Sequence, residues 1–188
     1  MSFFIGQTDP NRFINGSLLN PSHGWVVLTA TLTANIMYGT CFYNDGRIII
    51  DGCSIVRSVA GSGNLTTAIY KYDSIADQLV KVDNTNINTW NTAATGTQTI
   101  SIAPTTLDMG VYVMVIIADT TNANHSGYTT QFPYTPLGLD SGLITYQSIT
   151  KTLTYVADLP STLPIDSVYW TYNNSYYGQY ASFLLNQA

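Results

Sequence analysis

The sequence predicts an all-β protein, an antiparallel β-sandwich of jelly-roll-like order with long loops and an aromatic-rich C-terminal segment. Three observations carry that expectation. Charged residues make up 9 % of the 188 residues, against about 25 % in a typical soluble domain. Glu is absent, so all eleven acidic residues are Asp, and Thr, Asn, Ser, Gly and Tyr fill the gap, which favours strands and turns over helices. Short apolar or alternating stretches recur with Gly, Pro and Asn between them, at a spacing of about ten residues. Finally, Val111 to Ala118 is an unbroken apolar run. It is far short of the roughly 20 residues a membrane-spanning helix needs. Its β-branched composition reads as a strand apolar on both faces, hence covered on both faces at the centre of a sheet.

The elements follow in order. Residues 1–22 hold Asp9-Pro10, Asn15-Gly16 and Asn20-Pro21 and read as an N-terminal arm. Val26, Leu28, Ala30 and Leu32 alternate with Val27, Thr29, Thr31 and Thr33, the pattern of a half-buried strand. Ile36 to Tyr43 and Arg47 to Val56 read as two further strands, joined into a hairpin by Asn44-Asp45-Gly46, with Gly52 suggesting a bulge. Gly61-Ser62-Gly63-Asn64 is a turn, Leu65 to Tyr72 a strand, and Leu79 to Val82 a short strand. Asn84 to Gly96 is a polar loop carrying Trp90; Gln98, Ile100 and Ile102 then alternate with Thr and Ser. Pro104 and Gly110 are read as a turn delivering the chain into the apolar run. An irregular region is expected from Thr120 to about Leu143, and a last strand from Ile149 to Val156. The domain is expected over 23–160. Residues 161–188, rich in Tyr and Trp, pack on it or on a neighbouring subunit.

Composition also excludes functions. Net charge is −5, and the six Lys and Arg are scattered, so no basic patch exists for nucleic acid or an anionic membrane. The N-terminus has no positively charged region before its apolar residues and is not read as a signal peptide. Cys41 and Cys53 flank the expected hairpin; buried thiols and a cross-strand disulfide both remain open. His23 and His125 cannot build a zinc site alone. "GSGNLTT" at 61–67 lacks the Lys-Ser/Thr ending of a phosphate loop. Most Asp residues stand in turns, where they serve the backbone, so a carboxylate pair for glycoside hydrolysis is not expected. No cofactor, no metal and no enzymatic activity are expected.

The order of pieces is informative. "NLTTAIYKYDS" is followed by a variable stretch, then "GTQTISIA", then "LDMGVYVMVIIAD", with Leu107, Gly110 and Tyr112 leading into the buried strand. Over roughly residues 47–119 this resembles the β-sandwich receptor-binding modules of bacteriophage tail fibre and tail tip proteins. The resemblance implies a virion protein that recognises a host surface glycan or envelope protein, usually as a homotrimer joined to other virion proteins. A structural virion protein, such as a head decoration, head fibre or tail-assembly subunit, is the alternative.

Two segments are singled out for recognition. The region after Thr120 offers Asn122, Asn124, His125, Tyr128 and Tyr134; the C-terminal segment offers Trp170, Tyr172, Asn173, Asn174, Tyr176 and Tyr177. Flat aromatic faces beside amide groups suit a sugar ring, and equally suit a subunit interface or ordinary core packing.

Overall fold

The computed structural model describes residues 26–44, 46–57, 60–129, 148–165, 171–172 and 181–185. Among them are twelve strands and no helix. They are β1 (Val26–Leu32), β2 (Ile36–Asn44), β3 (Ile48–Arg57), β4 (Leu65–Asp73), β5 (Gln78–Lys81) and β6 (Gly96–Leu107), then β7 (Gly110–Ala118), β8 (Asn122–Thr129), β9 (Ser148–Thr152), β10 (Thr162–Pro164), β11 (Thr171–Tyr172) and β12 (Ala181–Leu185). Every pairing is antiparallel. One sheet runs β1-β8-β3-β12, with β6 also on β3; the other runs β10-β5-β4-β7-β2-β9-β11. The chain is therefore all-β and antiparallel.

The apolar run lies where its composition requires. β7 sits between β4 and β2, and its side chains divide by parity. Tyr112, Met114, Ile116 and Ala118 join a cluster that also draws Leu32, Ile50, Cys53, Ile55 and Leu107 from the smaller sheet. Val113, Val115 and Ile117 join a second cluster on the opposite face, closed by Leu159 and Leu163. Strand β4 obeys the same division, with Leu65 and Ile69 on the first side and Ala68 and Tyr70 on the second. The smaller sheet thus covers one face of β7, and the segment 153–165 covers the other.

That segment is bound chiefly by polar groups at its margins. Asn35 Oδ1 accepts from Tyr155 N at 2.9 Å, and Asn86 and Asn88 both donate to Ala157 O. Tyr70 donates its hydroxyl proton to Pro160 O at 2.8 Å. Lys81 reaches the Asp158 carboxylate and Leu159 O. Leu159 and Leu163 then fill the apolar gap between these ties.

The polar loop expected at 84–96 is anchored at two points. Ile87 exchanges both backbone hydrogen bonds with Thr67 of β4. Trp90 is buried and donates Nε1–H to Thr67 Oγ1 at 3.2 Å. Thr85, also buried, accepts from Ile69 N and donates to Val82 O. A buried indole N–H and a buried hydroxyl each need such a partner.

Four expectations are corrected. First, Asn44-Asp45-Gly46 does not close a hairpin. Strand β2 pairs with β7 and β9, whereas β3 pairs with β6, β12 and β8, so the chain crosses between sheets at this corner. Asn44 holds the corner: its Nδ2 lies 2.6 Å from Gly46 O and 2.9 Å from Asp108 O. Second, the region after Thr120 opens with a strand, β8, paired along β1; pairing with β1 outweighed the low strand propensity of "NANHSG". Third, Pro104 stands inside β6, where the β3–β6 register shifts beside Asp51. A bulge tolerates the missing N–H, and the turn into β7 is made by Asp108 and Met109. Fourth, β9 ends at Thr152, because Leu153 to Val156 are drawn into the covering segment. The register shift next to Gly52 bears out the bulge expected there.

Cys53 is a free, buried thiol, so it takes no part in a disulfide. Its Sγ lies 3.9 Å from Thr67 Oγ1. Burial pushes the thiol up from 9.0 to about 12, against smaller opposing effects of Thr67 and the Ser54 backbone. Burial and then the Asp158 charge raise Tyr70; burial and then the Asp108 charge raise Tyr112.

Two outcomes follow for stability. Ile69→Ala, at a fully buried site, costs about 2–5 kcal/mol in urea unfolding, whereas Ile75→Ala, at a site 97 % exposed, stays within about 0.5 kcal/mol. Alkali has a definite sign. The neutral thiol is favoured by folding, so its stabilisation is complete below the ordinary value of 9.0 and is lost as pH rises from there toward about 12. The melting temperature falls across that window, and less steeply in Cys53→Ala; native Cys53 resists alkylation at neutral pH and reacts once the chain is unfolded.

Candidate functional site

Loops at the ends of strands are where a β scaffold meets ligands. The end formed by the β1–β2, β3–β4 and β7–β8 connections is built from neutral polar residues around one carboxylate. Asp119, the first residue after β7, accepts from Asn64 N through Oδ1 and from Asn64 Nδ2 through Oδ2, both at 2.7 Å. Its own N–H donates to Asn64 O at 3.2 Å. Thr120 Oγ1 donates to Ser62 O at 2.8 Å, and Thr92 Oγ1 to Gly63 O at 2.6 Å. From the other side, Asn35 N donates to Ala118 O at 2.9 Å, and Ala34 N to Thr121 Oγ1 at 3.4 Å.

Local sequence explains this geometry. Asn35 stands at φ 59°, a left-handed conformation that Asn tolerates better than most residues. Gly63 stands at φ 80°. A Cβ there would lie 2.2 Å from both Asp119 Oδ1 and Thr120 Oγ1, so only Gly lets the β3–β4 turn approach the β7–β8 connection this closely. Asn64 opens an Asn-Leu-Thr sequence, and its amide is engaged by Asp119, which argues against a role as a glycan acceptor.

The opposite end has a different character. Asp73 Oδ1 caps its own turn, accepting from Ile75 N and Ala76 N. Arg47 Nε lies 3.9 Å from Asp108 Oδ1 in an exposed pair, and Lys71 Nζ lies 5.8 Å from the Tyr112 ring centroid. Exposed pairs of this kind contribute little to stability. Asp73 and Asp119 thus hold backbone, as expected of Asp in turns. Among the described residues no group of three His, Cys, Asp or Glu is placed to hold a metal ion.

Of the residues singled out for recognition, Asn122, Asn124, His125 and Tyr128 lie on β8 in the smaller sheet. Asn122 pairs with Leu32, His125 with Ala30 and Arg57, and Tyr128 with Val27. Tyr172 lies on β11 in the larger sheet, opposite Ile149. Tyr134, Trp170, Asn173, Asn174, Tyr176 and Tyr177 lie outside the described residues. The described members of the two segments therefore belong to different sheets. Sequence reasoning missed Asn35, Asn64 and Asp119 as the residues that fix the start of β8. The signal was present, since Asn and Asp at strand–turn junctions make such side-chain-to-backbone bonds.

No protein-family model matches the chain, and no curated protein matches it in sequence.

Gly63→Ala tests the rim, because it forces a Cβ into Asp119 and Thr120 at a positive φ. It costs at least about 1 kcal/mol. Asp119→Ala removes both bonds to Asn64 and speeds hydrogen exchange at the Asn64 amide, while exchange at β7 amides is unchanged.

Proposed function

We propose that this chain is a non-enzymatic virion protein of a bacteriophage, the receptor-binding part of a tail fibre or tail tip, built as a jelly-roll-like β-sandwich. The observation that carries the reading is the rim held by Asp119. Its loops, rich in hydroxyl and amide groups, are tied to one another by hydrogen bonds, and such preorganisation lowers the ordering cost of binding. Neutral hydrogen-bonding groups of this type suit the hydroxyls of a host surface glycan. The family resemblance agrees with it: β4 with Tyr70 and Tyr72, then β6, then Leu107, Gly110 and Tyr112 leading into β7. A core cluster drawn from both sheets supports the sandwich.

Strand β8 departs directly from this rim, so Asn122, Asn124, His125 and Tyr128 are the proposed ligand contacts of the described residues, with Tyr134 and the 170–177 segment as their proposed extension. Other copies of the chain and other virion proteins are the proposed assembly partners. A structural role within the virion is the second reading; immunogold label on the head or the mid-tail rather than the fibre tip would establish it.

The receptor reading is tested by attachment of the purified chain to host cells and to isolated envelope. Tyr128→Ala and Asn124→Ala weaken attachment about tenfold with melting temperatures within a few degrees of the parent. Loss of attachment that only tracks loss of stability would assign these residues to the scaffold instead.

A further inference from the structure

Asn35 is exposed and stands at φ 59°, and separate parts of the chain meet on it. Its N–H donates to Ala118 O at 2.9 Å, one residue before Asp119. Its carbonyl accepts from Leu153 N at 3.0 Å, and its Oδ1 accepts from Tyr155 N at 2.9 Å. The same residue thus holds the Asp119 rim and the start of the covering segment 153–165. That segment is built as a strap. Only Thr162–Pro164 form a strand in it. Elsewhere it is tied chiefly by side chains, from Tyr70 to Pro160 O, from Asn86 and Asn88 to Ala157 O, and from Lys81 to Asp158. Its apolar hold is Leu159 and Leu163, with Leu153, Tyr155 and Ile165 partly buried beside them. Segments with little ladder bonding open as units, below the free energy of global unfolding. The 84–96 loop also touches both regions, through Asn86 Oδ1 on Leu159 N and Thr92 Oγ1 on Gly63 O. Ile87 and Trp90 pin that loop to β4 between the two contacts, which leaves Asn35 as the direct joint.

We propose that the strap and the rim open and close as one unit, with Asn35 as the joint. Docking of the strap holds Asn35 in its left-handed conformation through Leu153 N and Tyr155 N. Asn35 in turn holds the end of β7 from which the rim departs. Undocking removes the bonds from Leu153 and Tyr155 and frees the β1–β2 turn to leave Ala118. A ligand that binds the ordered rim therefore favours the docked strap, and docking of the strap strengthens that binding by the same factor. The coupling belongs to the fold. It stands whatever the rim binds, and its test uses no host material, so it stands or falls apart from the receptor reading.

Native-state hydrogen exchange of the full chain at low denaturant tests it. The strap amides of Tyr155, Leu159 and Ile165 and the rim amides of Asn35, Asn64 and Asp119 share one opening free energy and one denaturant slope, both below those of the β7 amides. Tyr70→Phe removes the hydroxyl that donates to Pro160 O and speeds strap and rim amides alike, by about fivefold. From the other end, Asp119→Ala speeds exchange at Tyr155 and Leu159 as well as at Asn64. Asn35→Gly tolerates the positive φ but loses the bond to Tyr155 N, and the response of the rim to Tyr70→Phe shrinks in that background. A strap that exchanges only together with β7 would overturn the proposal. So would a rim indifferent to Tyr70→Phe, a strap indifferent to Asp119→Ala, or a coupling that survives Asn35→Gly undiminished.

Discussion

The burial of β7 on both faces is the constraint from which the rest of the architecture follows. A strand with Tyr, Met and Ile on one side and Val, Val and Ile on the other cannot face water on either. Two covers are required, and the chain supplies them by different means. The smaller sheet lays Ile50, Cys53, Ile55 and Leu107 over one face. The segment 153–165, only three residues of which form a strand, lays Leu159 and Leu163 over the other. A segment with so little ladder bonding is held by side-chain ties, which is why Asn35, Tyr70, Lys81, Asn86 and Asn88 converge on it.

The same constraint accounts for the corner at Asn44. Had β2 and β3 formed a hairpin, both would lie in one sheet and the inner face of β7 would lack part of its cover. By crossing at the corner, the chain sends β2 to flank β7 and β3 to cover it. The Asn44 amide beside the Gly46, Leu107 and Asp108 carbonyls ties this crossing to the turn that delivers β7. Polar groups therefore decide how the chain passes between layers, while apolar groups decide that there must be layers. Buried Thr67 links the two roles, accepting from Trp90 and exchanging backbone bonds with Ile87.

The rim at the far end of β7 inherits its order from that core. Ala118 is fully buried and its carbonyl receives Asn35 N. Asp119, one residue later, already faces the loops and clamps Asn64. One residue separates a position fixed by apolar packing from one fixed by hydrogen bonds, and β8 starts three residues after the second. Ligand contacts grafted there gain a rigid base, which is the physical content of the proposed recognition surface.

Composition and periodicity by themselves determined most of the strands: the strand at β1, the double-sided apolar run of β7, the bulge near Gly52 and the all-β class were legible because each depends on a residue's own propensity and its near neighbours. Pairing was not legible. Asn-Asp-Gly is hairpin chemistry in any short window, and only the demand of β7 for cover by the smaller sheet turned it into a crossing. "NANHSG" has poor strand propensity, and only the free edges of its neighbours in the smaller sheet made it β8. The candidate site was read in part for the same reason. Residues beside β7 could be guessed, but Gly63, Asn64 and Asp119 meet across 55 residues of chain, and contacts at that separation are set by which sheets stack, a property no local stretch of sequence encodes.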